Sequence, residues 1–217
     1  MQKIKALFYK EFLSEYRNRS SFFGILLYAI AMVYICYLAF IDYIDPHAWV
    51  ALFWILLLFA SITSVSKSFL SESEGVQLLN YILFNPVQVI LIKSCYNFLL
   101  LSFMAFITLL VYVLLLGNPL GNLLMFSLAC LLGIASISSI LTLMSAISSK
   151  AGGSSTLMAI LSLPLLFPVL ISVIKLSKVA LDGLSWSVAS NYILVLFALP
   201  MISITMAYIL FPYLWRE

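Results

Sequence analysis

Side chains able to do chemistry are sparse in this 217-residue chain, and their spacing excludes most reactions. His47 is the single histidine. It sits at the edge of an apolar run, where an ordinary interfacial residue is expected rather than a metal ligand. Cys36, Cys95 and Cys130 all fall in apolar runs without CxxC spacing, so they read as packing residues, neither disulfides nor metal ligands. No GxxxxGK[ST] phosphate loop, HExxH or GxSxG is present, which closes those routes to nucleotide binding, zinc hydrolysis and serine nucleophilic chemistry. No aspartate or glutamate lies in the middle of an apolar run, whereas proton-coupled carriers place ionisable groups at depth. The chain thus offers neither an energy source nor a catalytic group of its own.

The longest polar break is Ser66–Gln88, which carries Lys67, Glu72 and Glu74. Ser71-x-x-Glu74 has capping-box spacing, with the serine hydroxyl on a free N–H of the first turn and the glutamate reaching back. Both glutamates then face the positive end of the helix dipole. The helix is expected to stop at Asn85-Pro86, because a residue before proline is pushed out of the α region. Val76, Leu79 and Leu83 line one face, with Leu78 and Ile82 beside them. A short capped helix between two membrane spans is placed to be touched from outside the membrane; a plain interfacial connector is the alternative.

The elements that hold this segment follow from composition. The chain is 65% hydrophobic and 9% charged, with mean hydropathy +1.17, against roughly 25% charged residues in soluble domains. Runs this long and this apolar predict an all-α integral membrane protein, since a span takes about 20 apolar residues and must satisfy its backbone internally. Residues 1–217 form one permease-like domain with six spans at about 20–42, 47–66, 87–116, 121–148, 155–177 and 189–214. Trp49 and Trp54 are assigned to an outer aromatic belt. No cleavable signal peptide is expected before the first span. Ahead of it, Ile4, Phe8, Phe12 and Tyr16 recur every four residues and Lys3, Lys10 and Arg17 every seven. This predicts an interfacial amphipathic helix over 2–18 with a basic stripe toward anionic headgroups.

With the N-terminus inside, Lys3, Lys5, Lys10, Arg17, Arg19, Lys67, Lys93, Lys150 and Arg216 collect on the inner side, and only Lys175 and Lys178 remain outside. That asymmetry fits the positive-inside rule, puts both termini in the cytoplasm and turns Ser66–Gln88 toward it. The pI near 8.7 therefore reflects topology, not nucleic-acid binding. The fourth span carries a small-residue ridge of Ala135, Ser138, Ser139, Thr142, Ser145 and Ala146, which permits close helix approach. Pro164 and Pro168 in the fifth predict a kink, since each removes a backbone hydrogen bond.

Phe69-x-x-Glu72-x-Glu74-Gly75-x-x-Leu78 followed by Asn85-Pro86 resembles the cytoplasmic coupling segment of the CcmB family. That family is the membrane subunit of the cytochrome c maturation ABC complex, also called haem exporter protein B. The stretch Ser148–Phe167 with Pro168, and the run Lys175-Leu-Ser-Lys178, are similar to that family's loop and fifth span. The resemblance covers nearly the whole chain and implies an ABC-2-type permease fold in the bacterial inner membrane. It implies that a separate CcmA-like ATPase hydrolyses ATP on a permease homodimer. Phe69, Glu72, Glu74, Gly75, Leu78 and Leu79 would be its docking surface. It further implies association with CcmC- and CcmD-like membrane subunits and a CcmE-like haem chaperone. The activity implied is haem export or ATP-dependent release of the loaded chaperone, with haem as cargo and no directly bound cofactor or metal. A permease for a lipid or peptide and a non-transport assembly scaffold are the other readings.

Overall fold

Short turns carrying proline, glycine or asparagine separate the apolar runs, and each run between those turns forms one long helix. The computed structural model describes residues 7–13, 19–40, 43–66, 83–151 and 154–214, all-helical with connecting turns and no strand among them. A short helix α1 (residues 7–13) precedes α2 (Arg19–Ala39), α3 (Pro46–Val65), α4 (Pro86–Leu116), α5 (Leu123–Lys150), α6 (Ser155–Leu181) and α7 (Trp186–Leu214). The last five are long and apolar enough to cross a membrane, and the stretch Phe23–Ala39 of α2 is a shorter apolar helix. At about 1.5 Å per residue, the 31 residues of α4 reach roughly 46 Å, well beyond a hydrocarbon core of about 30 Å.

The helix starts are capped as their sequences dictate. Asp45 accepts from His47 N at 3.0 Å and Ala48 N at 3.1 Å, with Pro46 in the first turn. Asn85 accepts from Val87 N at 3.2 Å, again ahead of a proline. Asn122 caps α5 through Met125 N at 3.1 Å, and Ser154 caps α6. These side chains take up N–H groups that have no partner within the helix. At the far end of α6, Gly183 at φ 64° supports a bond from Leu184 N to Val179 O of 3.1 Å, the six-to-one closure of a Schellman turn. The α4–α5 turn straps onto the same end, with Gly121 N to Leu181 O at 3.1 Å and Asn122 N to Ala180 O at 2.8 Å. A Cβ at Gly121 would lie 2.7 Å from Leu181 O, so only glycine allows this approach. The strap also explains why α5 starts at Leu123 rather than at 121.

Helix α5 is the centre of the bundle and packs against α3, α4, α6 and α7, while α2 rests on α3 and α4. Its predicted ridge is the reason: Ser138, Ser139, Thr142, Ser145 and Ala146 are buried, with Ala135 half-buried. The tightest contact is at Gly133, where a Cβ would fall 2.5 Å from Trp54 Cη2 and 2.7 Å from Val173 Cγ1. Trp49 and Trp54 are therefore not in an outer belt. Both are fully buried, in a cluster with Phe53, Tyr112 and Phe126 whose neighbouring centroids lie 4.8 to 6.1 Å apart. A tryptophan near a span end belongs to a belt only if it faces lipid, and the missing side chain at Gly133 turns Trp54 inward. Pro164 and Pro168 lie inside an unbroken α6, both on its exposed face. Helix α7 also contains two prolines, the buried Pro200 and the half-buried Pro212.

Candidate functional site

The segment expected to dock an ATPase, with Phe69, Glu72, Glu74, Gly75, Leu78 and Leu79, lies outside the described residues, as do Lys3 and Arg17 of the basic stripe. Its two anchors are described. On the α3 side, Ser66 N bonds Ile62 O at 3.0 Å and Ser66 Oγ bonds Thr63 O at 2.9 Å. On the α4 side, Leu83 is helical and the backbone bends at Phe84 before Asn85 caps α4. The stop at Asn85-Pro86 is where proline chemistry places it. The α5–α6 connection shares this end of the bundle, where Ser148 Oγ bonds Ser154 O at 2.6 Å.

Helix α1 meets the bundle at the same end, in a way its periodicity did not indicate. Its buried side chains are Leu7 and Glu11, not the four-residue apolar stripe. Phe8 is half-buried, edge-on to Tyr96 at 6.1 Å, and Phe12 is exposed. Glu11 Oε2 lies 3.3 Å from Lys93 Nζ, with the Lys93 side chain only 1% exposed. Lys10 of the basic stripe is half-buried, 3.7 Å from Glu11 Oε1. Lys93, assigned above to the inner surface, is thus inside the protein. The signals were present: Lys93 sits seven residues into α4 within an apolar run, and Glu11 follows Leu7 by four and shares its face. Beside this junction an open groove of about 710 Å³ is lined by Phe8, Tyr9, Phe12, Gln88, Leu91, Ile92 and Cys95. Cys95 on that wall is exposed and Cys36 half-buried, so of the three cysteines only Cys130 is buried.

Elsewhere several buried polar groups are engaged between helices, while Trp49 Nε1, Ser102 Oγ and Ser145 Oγ are buried without a hydrogen-bond partner. Asn97 Nδ2 donates to Thr142 Oγ1 at 2.9 Å, and that hydroxyl donates to Ser138 O at 2.7 Å. Ser136 Oγ donates to Leu196 O at 3.1 Å, Trp54 Nε1 to Ser177 Oγ at 2.9 Å and Tyr112 Oη to Trp49 O at 3.0 Å. These join α4, α5, α6, α7 and α3, and interhelical bonds of this kind are adhesive rather than catalytic. Lys175, at the end of α6 opposite α1, lies over the Tyr192 ring at 5.8 Å and is exposed, as a snorkelling lysine would be. His47 heads α3 beside its Asp45 cap. No group of three or more metal-ligating side chains occurs among the described residues.

A bundle of long apolar helices, joined by hydroxyl and amide bonds and with its buried ion pair at one end, is a multi-pass membrane protein. The family model described as CcmB protein matches residues 2–213, and the chain belongs to the CcmB family. That family supplies the membrane component of the haem-export ABC transporter of cytochrome c maturation. No curated protein and no solved structure matches the chain.

Proposed function

We propose that this chain is the six-span permease subunit of an ATP-driven complex in cytochrome c maturation, with both termini and residues 66–88 in the cytoplasm. The observation that carries the reading is a family match over residues 2–213 in a chain without a nucleotide-binding motif. Such a subunit must be driven by a partner ATPase. The charge distribution supports the orientation: with the buried Lys93 set aside, Lys3, Lys5, Lys10, Arg17, Arg19, Lys67, Lys150 and Arg216 fall in the segments assigned to the cytoplasm, against Lys175 and Lys178 on the other side.

In this reading a CcmA-like ATPase docks on Phe69–Leu83. Glu72 and Glu74 form its polar anchor, and Phe69, Leu78 and Leu79 its apolar contact. A capped helix is a stiff lever, and both flanks are held by the Ser66 and Asn85 caps. Movement of the ATPase therefore passes into α3 and α4 instead of being lost in a slack loop. Two copies of the chain, with CcmC- and CcmD-like subunits, use that movement to export haem or to release a CcmE-like chaperone loaded with it. Haem is cargo of the complex and is not held by side chains of this subunit.

The test is co-purification of the ATPase with membrane-inserted variants. Interface energy concentrates in a few buried apolar anchors, often about 2 kcal/mol or more each, with rim charges contributing less. Leu78→Ala or Leu79→Ala should weaken binding more than either single glutamate change. Glu72→Lys with Glu74→Lys should weaken it more than neutral replacements, because it also opposes the helix dipole. Retention of the ATPase by both leucine variants and by the double lysine variant refutes the docking assignment.

A further inference from the structure

We propose that Glu11 and Lys93 are a positioning pair that fastens α1 to the start of α4, so that the two move as one body when the ATPase drives α4. The functional half of this statement rests on the reading above. The attachment itself does not.

A helix that merely floats at the membrane interface keeps its carboxylates in water. Here the Glu11 residue is 8% exposed and its partner lysine 1%. Glu11 Oε2 meets the Lys93 ammonium at 3.3 Å. Oε1 makes no hydrogen bond and is 3.7 Å from the Lys10 ammonium. Leu7, one turn earlier, is buried on the same face, and Phe8 packs edge-on to Tyr96. Both partner residues, Lys93 and Tyr96, lie in the first turns of α4, just after the chain returns through Asn85 from the segment assigned to docking.

A purely apolar contact at this place could slide, because one greasy surface fits another in many registers. A buried ion pair cannot. Any shift that lengthens the 3.3 Å contact between Glu11 and Lys93 gives up a buried charge–charge interaction, so this register is favoured over its neighbours. A displacement of the start of α4 then carries α1 with it.

Two measurements test this. The first needs no ATPase. In a chain whose other cysteines are alanine, Phe12→Cys and native Cys95 line the same groove and should be joined by a short bis-maleimide in membranes. Lys93→Met should slow that cross-link at least fivefold, and an unchanged rate overturns the attachment. The second is maturation of c-type cytochromes, scored beside ATPase co-purification. Glu11→Gln and Lys93→Met should each keep the ATPase bound but lower maturation at least tenfold. The swap (Glu11→Lys with Lys93→Glu) should restore it to within about threefold, whereas an apolar pair (Glu11→Met with Lys93→Met), which folds without a buried ion pair but can slide, should stay at least threefold below wild type.

Wild-type maturation in both single variants overturns the proposal, as does full maturation with the apolar pair. Should the single variants be lost from the membrane, the apolar pair still decides the matter. Absence of an ATPase from the wild-type complex defeats the permease reading instead and leaves the cross-link to judge the attachment.

Discussion

Replacing Gly133 with alanine adds one methyl group where α3, α5 and α6 are closest. The new Cβ would lie 2.5 Å from Trp54 Cη2, 3.0 Å from Trp54 Cζ3 and 2.7 Å from Val173 Cγ1. Neither neighbour yields easily. The indole is pinned by its 2.9 Å bond to Ser177 and enclosed by Phe53, and Val173 is fully buried. Overpacking of this kind costs roughly 1–3 kcal/mol. If the indole swings aside, its buried N–H loses a partner, at about 1 kcal/mol or more. Against this, alanine is favoured over glycine in a helix by about 1 kcal/mol. The net is a destabilisation of about 2 kcal/mol, or roughly 4–8 °C in melting temperature for a chain of this size. Thermal unfolding of the detergent-purified protein measures it. Trp54→Phe removes both clashing indole atoms and leaves only Val173, so Gly133→Ala should cost at least about 1 kcal/mol less in that background. A Gly133→Ala protein that melts at or above wild type, or a drop of equal size in both backgrounds, refutes the argument that the missing side chain seats Trp54.

Thr142→Val keeps the volume but removes the acceptor of Asn97 and the donor to Ser138 O. Interhelical bonds in membranes average about 0.6 kcal/mol and reach about 1.7, so unfolding should show a drop smaller than that of Gly133→Ala. A larger drop would give this bond more weight than the Trp54 seat. Pro164→Ala with Pro168→Ala should leave insertion intact and stability unchanged or raised, because proline costs an interior helix roughly 3 kcal/mol relative to alanine. Cytochrome maturation should nonetheless fall well below wild type, and full activity would reduce the two prolines to incidental shape.

The sequence alone determined the all-helical membrane class. Long apolar runs in a chain with 9% charged residues have few physical alternatives, since backbone in lipid must bond to itself. It also marked the turns between helices, since Asp45-Pro46 and Asn85-Pro86 act by local chemistry that needs no tertiary partner, whereas the start of α5 depended on the strap onto α6. The small-residue ridge of α5 was legible for a similar reason: spacing along one helix defines its face. The residues offered for docking lie outside the described residues, but the family that their motif resembles is the one whose model matches the chain. What only the tertiary structure decided is which side chains face protein and which face lipid. In a soluble domain the polar–apolar pattern marks the inside, but here both sides are apolar and that pattern carries little information. Trp49 and Trp54 therefore looked like belt residues and proved to be core: Gly133, some 80 positions away in sequence, leaves room for the Trp54 indole, and Trp49 packs on Phe53, Tyr112 and Phe126. Lys93 looked like a surface charge and proved to be buried against Glu11. A lysine within an apolar run can pair inside or snorkel outside, and only the position of a helix 82 residues distant settles which.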